Sequence, residues 1–162
     1  MQNICRGKRR LIIVNALFMK SFIFFVLVAL LSMTTQADTT SKKKLPPCQN
    51  TPNCVSSQAP DKPHYVAPFK ISGDPKIAWA ELRKAIIAHP RMIISHETEN
   101  SLHAEATSLV LQFVDDIDAI LDVEAGLIHI RSASRIGHSD FGVNRKRIEE
   151  LRTQLKKLHV LG

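Results

Sequence analysis

The polar residues best suited to chemistry crowd into positions 131–147, which read Arg-Ser-Ala-Ser-Arg-Ile-Gly-His-Ser-Asp-Phe-Gly-Val-Asn-Arg-Lys-Arg. Guanidinium groups, hydroxyls and flexible glycines ahead of a helix suit an anion, because free backbone N–H groups point outward at a helix N-terminus. The candidate ligand-binding residues are therefore Arg131, Ser134, Arg135, Ser139, Asp140, Asn144 and Arg145, with phosphate or carboxylate as the matching chemistry. A plainer account competes with this one: Asp140 pairs with an arginine and the serines satisfy the loop's own backbone. The glycines match no phosphate-loop spacing.

A second concentration lies on two neighbouring strands. The pairing expected there sets His96 beside His103, with Glu105 two residues further along. Two imidazoles and a carboxylate form a possible zinc set with water in the fourth position, the basis for a metal-dependent hydrolase. Such neighbours also arise on any solvated sheet face. The same reasoning puts Asp122 opposite His129. Asp115-Asp116 offers paired carboxylates for acid–base work, but a pair between two strands more often forms a turn. Ser132, Ser134 and Ser139 have His129 and His138 nearby, yet no G-x-S-x-G elbow is present. Trp79 and Phe113 read as core. No cofactor is implied.

These residues need elements to position them. Residues 64–71 read as extended. Asp74-Pro75 then supplies an N-cap and a proline at the first helical position. A helix to about Ala88 follows, with Ala78, Trp79, Leu82, Ala85 and Ile86 as its apolar stripe, and Pro90 stops it. Strands are expected at 91–98 and 101–107 around a Glu99-Asn100 turn, with Ile93, Leu102, Ala104 and Ala106 on one face. Further strands are expected at 109–114 and 117–123, the latter turning Ile117, Ala119, Leu121 and Val123 inward. Ala125-Gly126 leads into a strand over 127–132, in a register that pairs Val123 with Ile128 and Leu121 with Ile130. A last helix over 144–158 starts at Asn144 as N-cap and buries Ile148, Leu151, Leu155 and Leu158. The result is an α+β fold: an antiparallel β-meander covered on one face by two helices, a two-layer sandwich.

The N-terminus points to export. Residues 21–31 form an apolar block preceded by Lys20 and followed by small and polar residues, with Thr35 and Ala37 spaced as signal peptidase accepts. Residues 1–37 thus read as a signal peptide cut before Asp38, with Met19 a sufficient start. The rival reading is a retained anchor over 11–33, which would place Lys20 within the span at about 2.5–3.5 kcal/mol. Five of the 22 basic residues and none of the 15 acids precede Asp38, so the remainder holds 17 against 15, a net charge of +2. That balance is no case for nucleic acid. Membrane contact is expected only through the signal segment. Cys48 and Cys54 stand with five residues between them in a Pro/Asn loop, and in an exported chain they most simply form a disulfide. Their spacing is wrong for a Cys-x-x-Cys redox pair, and no second pair completes a zinc site.

Several of these segments occur together elsewhere. Pro-Asn-Cys-Val-Ser-Ser from Pro52, Leu-His-Ala-Glu-Ala from Leu102, Phe-x-Asp-Asp from Phe113, and above all Arg-Ser-Ala-Ser-Arg-x-Gly-x-Ser-Asp-x-Gly-x-Asn-Arg-x-Arg from Arg131 resemble the bacterial and plant family called domain of unknown function 1499. The resemblance runs from Cys48 to about Leu155. It implies a small α+β domain, often in exported or membrane-associated proteins, and it carries over no catalytic residue.

The expected organisation is a signal over 1–37, a linker and disulfide-pinned loop over 38–63, and an α+β domain over 64–162. The expected role is a periplasmic or cell-envelope protein, a non-enzymatic binding module for a small anion or a partner envelope protein. The metal-dependent hydrolase is the alternative.

Overall fold

A computed structural model describes residues 44–162; the expected signal peptide and most of the linker lie outside them. The elements in chain order are β1 (Cys54–Ser56), β2 (Phe69–Lys70), α1 (Pro75–Ala88), β3 (Met92–Glu97), β4 (Ser101–Thr107), β5 (Val114–Asp122), β6 (Leu127–Ser134) and α2 (Val143–Lys157). The sheet is antiparallel and open, in the order β1-β6-β5-β4-β3, with β2 also paired to β6. β1 and β2 follow one another along the outer edge of β6, opposite residues 131–133 and 127–128. The loop expected as a pinned linker therefore supplies an edge strand. Cys48 and Cys54 are joined by a disulfide.

α1 starts where its cap requires. The Asp74 side chain accepts from the Lys76 N–H at 2.8 Å, and Pro75 needs no partner for the donor it lacks. The helix ends at an extended His89, the conformation that a following proline imposes. α2 starts differently from expectation. Its N-cap is Gly142, at φ 81°, and Asn144 is already helical and fully buried. Asp140 does the capping, accepting from the N–H groups of Gly142 and Asn144 at 2.9 and 2.8 Å. Leu158, expected inside, is about half exposed.

Both helices pack on one face of the sheet. The core joins Ala78, Leu82, Ala85 and Ile86 of α1 and Ile148, Leu151 and Leu155 of α2 to Leu102, Ala104, Ala106, Ile117, Ala119, Leu121, Ile128 and Ile130. Phe69 beneath α2 is fully buried and lies 4.7 Å from the Arg152 guanidinium. Arg145 and Arg152 of α2 also donate to the carbonyls of Pro63, Tyr65, Ala67 and Pro68. This holds in place a segment expected to be a strand, of which only Phe69–Lys70 is one.

Two registers and one pair of strand boundaries depart from expectation. A β-bulge in β3 between Ile94 and His96 shifts the pairing by one residue. Met92 and Ile94 therefore turn inward and Ile93 outward, because one extra residue swaps the faces of a pleated strand. The strands expected at 109–114 and 117–123 are a loop followed by one strand, β5. At the next turn, Leu121 pairs with Ile128 and Asp122 with Leu127, two residues from the expected register. A shift of two keeps the apolar faces together, but it moves His129 opposite Ile120 and leaves Val123 half exposed.

Candidate functional site

The sheet face away from the helices carries a ladder of charged side chains. Across the strands, one row runs His96, His103, Asp118, Arg131, Ser56, and the next runs Ile93, Glu105, Asp116, Ala133, Cys54. Alternation along β4 and β5 puts His103, Glu105, Asp116 and Asp118 on this face while their neighbours Leu102, Ala104, Ala106, Ile117 and Ala119 fill the core. His103 Nδ1 lies 2.7 Å from Asp118 Oδ1, and Arg131 donates to Asp118 Oδ2 at 2.8 Å. His103 Nε2 faces Asp116 Oδ1 at 3.5 Å. Arg135 reaches back from the end of β6 to Asp116 at 2.7 Å and Glu105 at 2.6 Å. Hydrogen bonds donated to Asp116 and then Glu105 hold its guanidinium still more firmly protonated than usual.

His103 and Glu105 of the expected metal trio are thus together, and Asp116 completes the group. One ligand atom from each lies within 4.8 Å of the others. His96 stands across from His103, outside that group. Asp116 and Asp118, the acids missed as ligands or partners, carried a legible signal. Asp116-Ile117-Asp118-Ala119 alternates polar and apolar, so the strand reads back through the acid pair rather than turning at it.

The residues of the 131–147 stretch divide by direction. Arg131 is largely buried, and its Nε finds no hydrogen-bond partner among the described residues. Asn144 lies under β6 with both ends of its amide engaged: it donates to Ser134 Oγ and the Asn53 carbonyl and accepts from Ser132 Oγ and Arg147. Arg147 donates to Asp115 at 2.7 Å, a buried ion pair between α2 and β5. Ser139 accepts from the Phe141 N–H, Asp140 caps α2 without an arginine, and Arg145 donates to backbone carbonyls. Arg131, Arg135 and Arg145 each spend their hydrogen bonds on partners inside the domain. Arg131, Arg135, Asp116, Asn53 and Thr51 border a polar cavity of about 350 Å³ beside the disulfide loop.

At the end of the sheet where β5 and α2 begin, the surface is apolar. Leu109, Val110, Leu111 and Phe113 of the β4–β5 loop meet Ile136, Phe141 and Val143 around a second cavity of about 350 Å³, and all seven side chains are exposed. Phe141 is 96% exposed. Its backbone is left-handed, at φ 53°, a conformation that costs a residue with a side chain roughly 1–2 kcal/mol. The unbroken run Leu109-Val110-Leu111 was the signal for this surface, since it lacks the alternation of a half-buried strand.

No helix among the described residues is long and apolar enough to cross a membrane. A family profile described as a protein of unknown function (DUF1499) matches residues 44–155, which takes in the whole sheet, α1 and all but the end of α2. A search of curated proteins returns no match.

Proposed function

The chain belongs to the family of proteins of unknown function designated DUF1499, and we propose that it is an exported, non-enzymatic binding module that docks a partner envelope protein through the tip of its 131–147 stretch. The observation that carries this reading is Phe141, almost fully in water on a left-handed backbone at the rim of an apolar cavity. Folding gains nothing from such a residue, whereas a contiguous exposed apolar patch is a common mark of an interaction surface. The arginines nearby serve the domain's own acceptors, so the contact chemistry is apolar and the partner presents an apolar segment. Export is supported by the apolar block over 21–31 and by the Cys48–Cys54 disulfide, a bond that persists in oxidising compartments.

The test is site-specific photo-crosslinking in the living host. The full chain carries a photoreactive phenylalanine analogue at Phe141 or, as control, at Lys84 on the surface of α1. A discrete protein adduct from position 141 that disappears in the Leu111→Ser background is expected. Equal labelling from both positions, or an adduct of lipid mass, overturns the reading.

A further inference from the structure

We propose that His103, Glu105 and Asp116 form a divalent-cation site for which Arg135 is the resident, displaceable cation. The ring of His103 is oriented for this task. Asp118 sits on Nδ1 at 2.7 Å, and a proton in that bond leaves the Nε2 lone pair facing Asp116 Oδ1 at 3.5 Å. A carboxylate on the far nitrogen is also how metal-bound histidines are commonly aimed and made more basic.

Geometry and charge agree. A zinc ion about 2.1 Å from each ligand sets the ligand atoms roughly 3–4 Å apart, within a small side-chain adjustment of the separations here, which reach 4.8 Å at most. Glu105 and Asp116 face each other directly across β4 and β5, and His103 projects from the same face two residues before Glu105. Both carboxylates now converge on Arg135 Nη2, which marks the point where this face stabilises a cation. The compensation is incomplete: Glu105, Asp116 and Asp118 bring three negative charges, and Arg131 and Arg135 return two. A dication in place of Arg135 makes the cluster neutral when His103 is uncharged. Arg135 follows the last strand, is 41% exposed, and borders the same polar cavity as Asp116, so it has room to withdraw.

Zinc itself is the probe, titrated into the full chain. Among its seven histidines, His103 should respond first at Nε2 in nitrogen-detected NMR. Arg135→Gln should tighten zinc binding at least tenfold, and adding His103→Gln should abolish that gain. Asp118→Asn in the Arg135→Gln background should cost roughly 10–100-fold in affinity, as loss of an orienting carboxylate does. Arg83→Gln, which removes an equal charge from the exposed pair with Glu97, should change nothing. The proposal falls if Arg135→Gln binds no better than wild type, or if the gain survives His103→Gln. Should Arg135→Gln fail to fold, the wild-type titration still decides, because a first response at another histidine overturns the site.

Discussion

The buried pair of Arg147 and Asp115 can be weighed from the structure alone. Each side chain is 11% exposed, they meet at 2.7 Å, and the other arm of Arg147 donates to Ser132 and Asn144. Arg147→Ala leaves a carboxylate and an amide oxygen facing the vacated space beneath β5 and β6. Breaking a buried pair from one side costs about 3–5 kcal/mol, because the remaining charge stays out of water without compensation. For a domain of this size that lowers Tm by roughly 12–20 °C. The assay is urea unfolding of the full chain followed by tryptophan fluorescence, and Trp79 is the only tryptophan. The midpoint should fall while the slope m stays constant, as it does when stability changes without a change in compactness. A second variant separates charge from packing: Arg147→Met with Asp115→Leu should lose less than Arg147→Ala alone, since an apolar replacement leaves no orphaned charge. A loss below about 1 kcal/mol for Arg147→Ala, the value of an exposed pair, would refute the claim that this pair is buried and holds α2 to the sheet.

Two further outcomes are expected. Cys48→Ser should cost about 2 kcal/mol in denaturant titration, the chain-entropy value for so short a loop, and unchanged stability would mean that the disulfide does not restrain the edge strand. The Asp61 carboxylate is held below its ordinary 3.8, chiefly by the His64 backbone N–H at 3.1 Å and then by the His64 ring. A depressed carboxylate adds stability above 3.8 that is lost as pH falls through the lowered value, so Asp61→Asn should flatten the acid limb of the stability curve; carboxyl NMR of the native chain finding an ordinary titration at Asp61 would contradict this.

Local signals carried much of the fold. The Asp74-Pro75 cap, the stripes of both helices apart from Leu158, and the Glu99-Asn100 turn are written in neighbouring residues, and each stands where expected. These features depend on interactions within one or two turns of chain. Registers fared less well. A single extra residue in β3 exchanged Ile93 for Met92 and Ile94 in the core, and nothing in the local pattern marks that bulge. In the hairpin of β5 and β6 alternation alone cannot distinguish registers that differ by two, and the pairing expected between Asp122 and His129 gives way to Asp122 with Leu127 and Ile120 with His129.

The candidate site shows the same division. Composition and spacing by themselves determined that 131–147 leads from the last strand into the last helix, that His103 and Glu105 share a face, and that Cys48 and Cys54 lie within bonding reach. Only the tertiary structure decided what the arginines do. Arg135 meets Glu105 and Asp116, and Arg147 meets Asp115, across separations of 30, 19 and 32 residues. A guanidinium on a loop looks the same in sequence whether it awaits an anion or neutralises a carboxylate from a distant strand. Its partner is chosen by which strands become neighbours, a choice made by burial of apolar surface over the whole sheet rather than by any property of the arginine itself.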